Sequence, residues 1–415
     1  MSKKRVVITG IAAITPLGND VETSWKALLD GKSGIGPITA FDATSFASRI
    51  AGEVKDFDPE HFGIPAKLAK RMDRFVQFAA AGSIDALKDS GFVVTDENAR
   101  RIGCILGVGL GGLHTIEVFH SRLVEAGPGK VSPFMIPMLI SNMAPGQVAM
   151  LTGIKGSNLV MTSACSSGLH AIGHAYNEIL LGRMDAVVSG GIEATITPMG
   201  ISGFTALKAL STRNDEPQRA SRPFDKNRDG FVMGEGCGIF VVESLESAKA
   251  RGAKIYAEIV GFGATCDAFH MTAPDENGDG LAHAMRSAIA EAGLKPEDIT
   301  HINAHGTSTP MNDACETKAI KSVFGEHAHA LAICANKSQT GHLLGGAGGL
   351  ESVFTVLALQ TGMVPGTLNY ETPDPDCDLN YMGDGAKQLN PRYALCNSAG
   401  FGGTNVSIAY KKWEE

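Results

Sequence analysis

Short apolar runs closed by glycine or a small polar residue alternate along this chain with longer stretches of helical spacing. Runs at 6–9, 102–106, 158–161, 186–189, 238–243, 255–262, 299–304, 331–335, 393–397 and 406–410 predict buried strands. Apolar residues at three- and four-residue spacing predict helices over 20–29, 165–181, 280–292, 313–324 and 350–359, with a short one at 247–251. Strand followed by helix, again and again, is the pattern of an α/β protein.

The order of elements recurs. Residues 161–181 and 331–360 each run from a strand through a turn of small residues into a long helix. Each is then followed by a strand ending in a glycine-rich turn, Ser189-Gly-Gly and Ser398-Ala-Gly-Phe-Gly-Gly. Two βα-rich halves, divided at 1–253 and 254–415, predict a pseudo-twofold, layered α/β/α architecture. Functional residues then belong where strand ends from both halves meet.

Composition narrows the class. Glycine occurs 50 times in 415 residues, at the ends of apolar runs rather than in low-complexity tracts, which suits tight strand-to-helix turns. The net charge of −8 argues against nucleic acid as a partner. The eight cysteines include no Cys-x-x-Cys pair, so neither a disulfide framework nor a zinc ribbon is indicated. The basic start, Met1-Ser-Lys-Lys-Arg5, leads straight into a strand, and no apolar run reaches the roughly 18 residues of a membrane span. A cytoplasmic protein with no membrane association is expected.

Three stretches suggest ligands. Gly107-Val-Gly-Leu-Gly-Gly112 matches a dinucleotide fingerprint in letters, but no strand with a terminal acid follows at the required distance. Asp225, Asn227, Asp229 and Gly230 imitate the start of a calcium loop, yet its closing position, 236, is glycine; a buried polar turn near a functional centre is the alternative. Residues 65–78 form a basic amphipathic stretch carrying Lys67, Lys70, Arg71 and Arg74, either a solvated face or a dock for an acidic partner. The Met- and Pro-rich segment 133–147 has the composition of an interface or a pocket lining.

Cys165, His305 and His342 each follow a predicted strand among small residues. At the start of a helix, a thiol faces free N–H groups and the positive end of the dipole, which favours thiolate. The competing reading is a small buried hydrophobe. His301 and His305 lack the acidic partner and the helical face of a zinc motif. A cysteine with two histidines points instead to acyl transfer through a thioester. The turn Gly400-Phe-Gly-Gly403 can offer an oxyanion N–H, two imidazoles can serve a carbonyl oxygen, and Lys337 can hold them electrostatically.

Five motifs then resemble, in order, those of the elongating β-ketoacyl-acyl carrier protein synthases, closest to type II of fatty acid synthesis. They are Thr162-Ser-Ala-Cys-Ser-Ser-Gly168, Arg222-Pro-Phe-Asp with Asp229-Gly-Phe-Val-Met-Gly-Glu-Gly236, Ile302-Asn-Ala-His-Gly-Thr-Ser-Thr-Pro310, Asn336-Lys-Ser-Gln-Thr-Gly-His-Leu343 and Gly400-Phe-Gly-Gly-Thr-Asn405. The resemblance implies a thiolase-like fold layered α/β/α/β/α, a homodimer, and a decarboxylative Claisen condensation with substrates carried on phosphopantetheine.

Matched residue by residue, Cys165 is the acyl-accepting nucleophile. His305 and His342 promote malonyl decarboxylation, and Lys337 orders them. Phe401 is both oxyanion donor and gate, while Thr307, Thr309, Phe204 and Thr272 fall along the pantetheine and substrate path. Lys67, Lys70, Arg71 and Lys208 match positions that dock an acidic acyl carrier protein. Asn303, Glu351, Asn397 and Ser398 match positions near a structural monovalent cation in some members, and no catalytic metal or other cofactor is implied.

Ala399 and Ala273 depart from the family's common Phe and Ser, and with Ser166 and Ser167 they leave acyl-chain preference and gating open. The alternatives within reach are a ketosynthase of polyene or polyketide synthesis, a thiolase using Cys396 as second thiol, and a non-catalytic chain-length partner, which Cys165 opposes.

Overall fold

The computed structural model describes residues 4–414, so Met1, Ser2 and Lys3 of the basic start lie outside the described residues. Ten strands form one continuous sheet. From its middle, one half runs outward as Val6–Ile14, Gly236–Ser244, Ala186–Glu193, Ile102–Val108 and Asn158–Met161. The other runs as Ala257–Cys266, Thr404–Lys412, Tyr393–Gly400, His301–Asn303 and Ala332–Cys334.

The halves join through an antiparallel pairing of Val6 with Ile259. Moving outward, each shows the same pairings: antiparallel, antiparallel, parallel, parallel. The repeat expected from element order is therefore a repeat of topology.

Between the halves lie the helices Ser167–Leu180 and Ala347–Thr361, the middle layer of an α/β/α/β/α stack. Every residue from Ala347 to Leu359 is buried, which explains why this helix carries no amphipathic stripe. Its glycine-rich start is steric. A Cβ on Gly349 would sit 2.2 Å from the Gly191 nitrogen, so backbones of the two halves touch there. The helix Arg74–Ser90 covers the outer face of the first half, and Asp279–Glu291 with Pro310–Phe324 cover that of the second.

One expectation needs correction. The run 158–161 is a strand but not a buried one: it is the sheet's edge, and Leu159 is 42% exposed. The basic stretch 65–78 spans two helices. It divides into Ala66–Ala69 and Arg74–Ser90 because the Asp73 carboxylate accepts the Phe75 N–H and starts a new helix. Arg74 leaves the basic cluster to pair with Glu235 at 2.8 Å, whereas Lys67, Lys70 and Arg71 are exposed. Among the described residues no helix is long and apolar enough to cross a membrane.

Candidate active site

Cys165 follows the edge strand through a strained turn. Ala164 adopts φ 51, the left-handed region that alanine seldom enters. The helix begins at Ser167, two residues beyond Cys165, so the thiol stands just ahead of the first turn. The two serines that sequence reading left unexplained hold this turn. Ser167 Oγ donates to the Ala164 carbonyl at 2.6 Å and accepts the Ser163 N–H at 2.9 Å. Ser166 Oγ donates to the Thr404 carbonyl at 2.7 Å, tying the nucleophile turn to the last strand of the other half.

That tie brings the glycine turn close. A Cβ on Gly400 would lie 3.2 Å from the Cys165 nitrogen. Among the described residues, neither the Cys165 nor the Phe401 N–H donates to another residue. Two adjacent free donors beside a thiol are the geometry of an oxyanion hole.

His305 and His342 are each 2% exposed and stand edge to face, ring centroids 5.3 Å apart. With Cys165 they offer three ligating atoms within 4.8 Å of one another. The Leu344 N–H donates to His342 Nδ1 at 3.2 Å, so the neutral ring carries its proton on Nε2, which has no partner and is buried. Lys337 Nζ lies 3.4 Å from His305 Nδ1, and an ammonium there likewise favours Nε2–H. Burial, reinforced by the Lys337 charge, holds both imidazoles well below the ordinary histidine range. The pair thus presents two neutral donors. A metal held at His342 Nε2 would need the proton moved to Nδ1, where Leu344 already donates.

Lys337 is anchored by the His305 carbonyl at 2.6 Å and by the Glu351 carboxylate. The half-buried thiol runs against the expectation of a ready thiolate: desolvation pushes Cys165 up to about 12, Lys337 opposes this, and Glu193 and Glu351 add to it.

The pocket over the thiol is lined by Phe204, Lys208, Thr272, Thr307, Thr309 and Phe401, so all predicted path residues converge, along with the departures Ala273 and Ala399. Lys67, Lys70 and Arg71 do not line it; Arg71 lies over the Phe134 ring instead. The calcium-like stretch buttresses the two threonines, with Asp225 and Gly230 buried and Asn227 and Asp229 exposed. The Arg222 N–H donates to Ser308 Oγ at 2.9 Å, the Gly230 N–H to the Ser308 carbonyl at 3.1 Å, and Arg228 to the Thr309 carbonyl at 3.2 Å.

Four buried oxygens on the residues matched to a cation lack any hydrogen-bond partner: Asn303 Oδ1, Glu351 Oε2, Asn397 Oδ1 and Ser398 Oγ; Glu351 meets Lys337, while the Asn397 amide lies against Met285. Orphaned buried acceptors call for a ligand, and an all-oxygen set suits a hard cation.

Two buried acids escaped the sequence reading. Glu316 accepts the His305 and Gly306 N–H groups, both at 2.8 Å, and Glu193 holds the glycine turn once compared with a dinucleotide fingerprint. Burial pushes each up to about 7. A signal existed for Glu316, which shares a buried stripe with Ala319, Ile320 and Val323 at helical spacing.

The family model for the β-ketoacyl synthase N-terminal domain matches residues 3–248, and that for the C-terminal domain matches 256–371. A 3-oxoacyl-[acyl-carrier-protein] synthase 2 of Synechocystis is 52% identical over 414 residues, covering 100% of this chain and 99% of the relative. That of Vibrio harveyi is 51% identical and covers 100% of both chains. Among solved structures, the ishigamide ketosynthase/chain length factor superposes with a TM-score of 0.92 at 35% identity, covering 100% of each chain. A type II polyketide ketosynthase in complex with its acyl-carrier protein matches with a TM-score of 0.92 at 34% identity, again covering 100% of each.

Proposed function

The chain belongs to the β-ketoacyl synthase family, and from that membership we propose how its own residues perform the reaction. It is an elongating 3-oxoacyl-[acyl-carrier-protein] synthase, an acyltransferase of fatty acid biosynthesis. It condenses an acyl chain with a malonyl unit to give the 3-oxoacyl product and CO2.

In the first step Cys165 sulfur attacks the thioester carbonyl of an acyl group delivered on phosphopantetheine. The developing oxyanion accepts the N–H groups of Cys165 and Phe401. The bond to the pantetheine sulfur breaks, and the Cys165 proton ends on that departing sulfur. No net proton is taken up or released in the exchange.

In the second step the malonyl thioester carbonyl accepts hydrogen bonds from His305 and His342 Nε2. Its carboxylate leaves as CO2, and the bonding pair becomes the enolate that these two donors stabilise. The enolate carbon attacks the acyl carbonyl on Cys165, the oxyanion returns to the same hole, and Cys165 leaves as thiolate to take a proton from water. Thr307, Thr309, Thr272 and Phe204 line the pantetheine path, with Phe401 as its gate.

What carries this reading is the placement of two neutral imidazoles with the thiol, one ring nitrogen of each lying within 4.8 Å of the others in the group, and the Nδ1 of His342 already taken by a donor. Intact-protein mass spectrometry with acyl-acyl carrier protein tests it. An acyl adduct is expected on the native chain and absent from Cys165→Ala; an adduct that persists in the variant overturns the assignment.

Lys67, Lys70, Arg71 and Lys208 would receive the acidic carrier protein. A second copy of the chain would cover the open edge Asn158–Met161 and the exposed Phe134, Ile136, Ile140 and Met150 nearby in sequence. Asn303, Glu351, Asn397 and Ser398 would hold a monovalent cation, which would supply positive charge to the buried Glu351 oxygen. A cytoplasmic location fits soluble substrates.

A further inference from the structure

We propose that Glu193 is a positioning residue for the decarboxylation step, holding His342 in its donor tautomer through the backbone of Leu344 and Gly345. The proposal rests on the two-step reading above.

Glu193 is completely buried, and among the described residues it pairs with no cation. Its carboxylate is met entirely by backbone donors. Oε2 accepts Gly109 N–H at 2.9 Å and Gly345 N–H at 3.1 Å, Oε1 accepts Gly111 N–H at 3.1 Å, and Leu110 N–H reaches each oxygen at 3.2 Å. These N–H groups oppose the cost of burial, which still leaves the carboxyl raised to about 7, so the ionised form above that pH is the one that accepts from every donor around it.

The donors come from both halves of the molecule, and the space is shaped for this contact. A Cβ on Gly345 would meet the Gly109 nitrogen at 2.2 Å, and one on Gly109 would meet Glu193 Oε2 at 2.4 Å. The carboxylate therefore pins the Gly345 segment to the opposite glycine turn.

Leu344 shows what the pin is for. It adopts φ 49, which costs a branched residue on the order of 1 kcal/mol or more, and only a constrained neighbour keeps it there. In that conformation its N–H reaches His342 Nδ1 and its side chain lines the pocket. Release of Gly345 lets Leu344 relax, withdraws the donor from Nδ1 and frees His342 to move its proton away from the substrate face. Acylation of Cys165 uses neither His342 nor Leu344 N–H. The Glu193 charge in fact raises the thiol, so its removal does not slow the first step.

Glu193→Gln places an amide NH2 against N–H donors while keeping size and shape. Expected are Cys165 acylation at the native rate or faster, condensation kcat down about tenfold or more, and malonyl-substrate KM within about twofold. Nitrogen-15 spectra of labelled His342 should change from the Nε2–H form to a mixture of tautomers. If Glu193→Gln does not fold, the same split is read in Glu193→Asp, which retains the charge but draws it back from Gly345. Equal losses in both half-reactions, or a native tautomer with full condensation, overturn the proposal. Absence of an acyl adduct on the unsubstituted chain would instead overturn the two-step reading beneath it.

Discussion

Lys337 Nζ donates to the His305 carbonyl at 2.6 Å and lies 3.4 Å from His305 Nδ1, so one ammonium meets both the backbone and the ring of a single histidine. Both residues are almost wholly buried, and the same ammonium meets the Glu351 carboxylate. Charge and position are therefore supplied together, and substitution of Lys337 should disturb both.

Lys337→Met should abolish most condensation, by about a hundredfold, while the Cys165 acyl adduct still forms. It also leaves Glu351 buried without its cation, a change that costs roughly 3–5 kcal/mol when the charge persists. Glu351 is already raised to about 7 by burial and would rise further, taking up a proton. A folded carboxyl that holds its proton where the unfolded one is ionised loses stability as pH increases. The melting-temperature deficit of the variant should thus be larger at pH 8.5 than at pH 6; a deficit that shrinks with pH would count against the ion pair.

The histidine pair should stay neutral in acid. Both imidazoles lie well below 6.5, chiefly through burial. Nitrogen-15 spectra of both imidazoles should therefore show neutral rings from pH 7.5 to 6, and imidazolium signals growing in near 6.5 would refute neutral donors. His301, lowered to about 4 by burial, adds a stability signature. Its contribution is complete above 6.5 and lost as pH falls through that value toward 4.

Alkylation of free Cys165 should be slow at neutral pH. With the thiol raised to about 12, the iodoacetamide rate should climb with pH through the ordinary thiol range without levelling. A plateau near pH 7, monitored by mass spectrometry of the Cys165 peptide, would show that the helix terminus outweighs burial.

Charge reversal separates docking from chemistry. Lys67→Glu, Lys70→Glu and Arg71→Glu alter exposed side chains outside the pocket. Each should raise KM for carrier-protein substrates about three- to tenfold, with weaker salt dependence, and leave a short pantetheine thioester unaffected. Equal effects on both substrates would remove these residues from the docking surface.

Much of this was readable along the chain. Cys165, His305 and His342 announced themselves by following apolar strands among small residues, because local patterning alone requires strand ends to be loops. The topological repeat was visible for the same reason. The strand 158–161 was read as buried because an apolar run looks alike at an edge and in a sheet's centre.

What the linear order determined, then, is the strands of the sheet, the twofold plan and the candidate residues that meet at one pocket, while the helices Leu113–Ala126, Met143–Thr152 and Pro198–Ala206 went unread. What only tertiary structure decided is the chemical state of those residues. The tautomer of His342 depends on Leu344, held against a glycine turn more than two hundred residues away; the thiol of Cys165 depends on burial by both halves; the role of Ser166 depends on a carbonyl at Thr404. Protonation and tautomer follow from the local dielectric and from donors within about 3 Å, and those neighbours exist only after the halves have packed together.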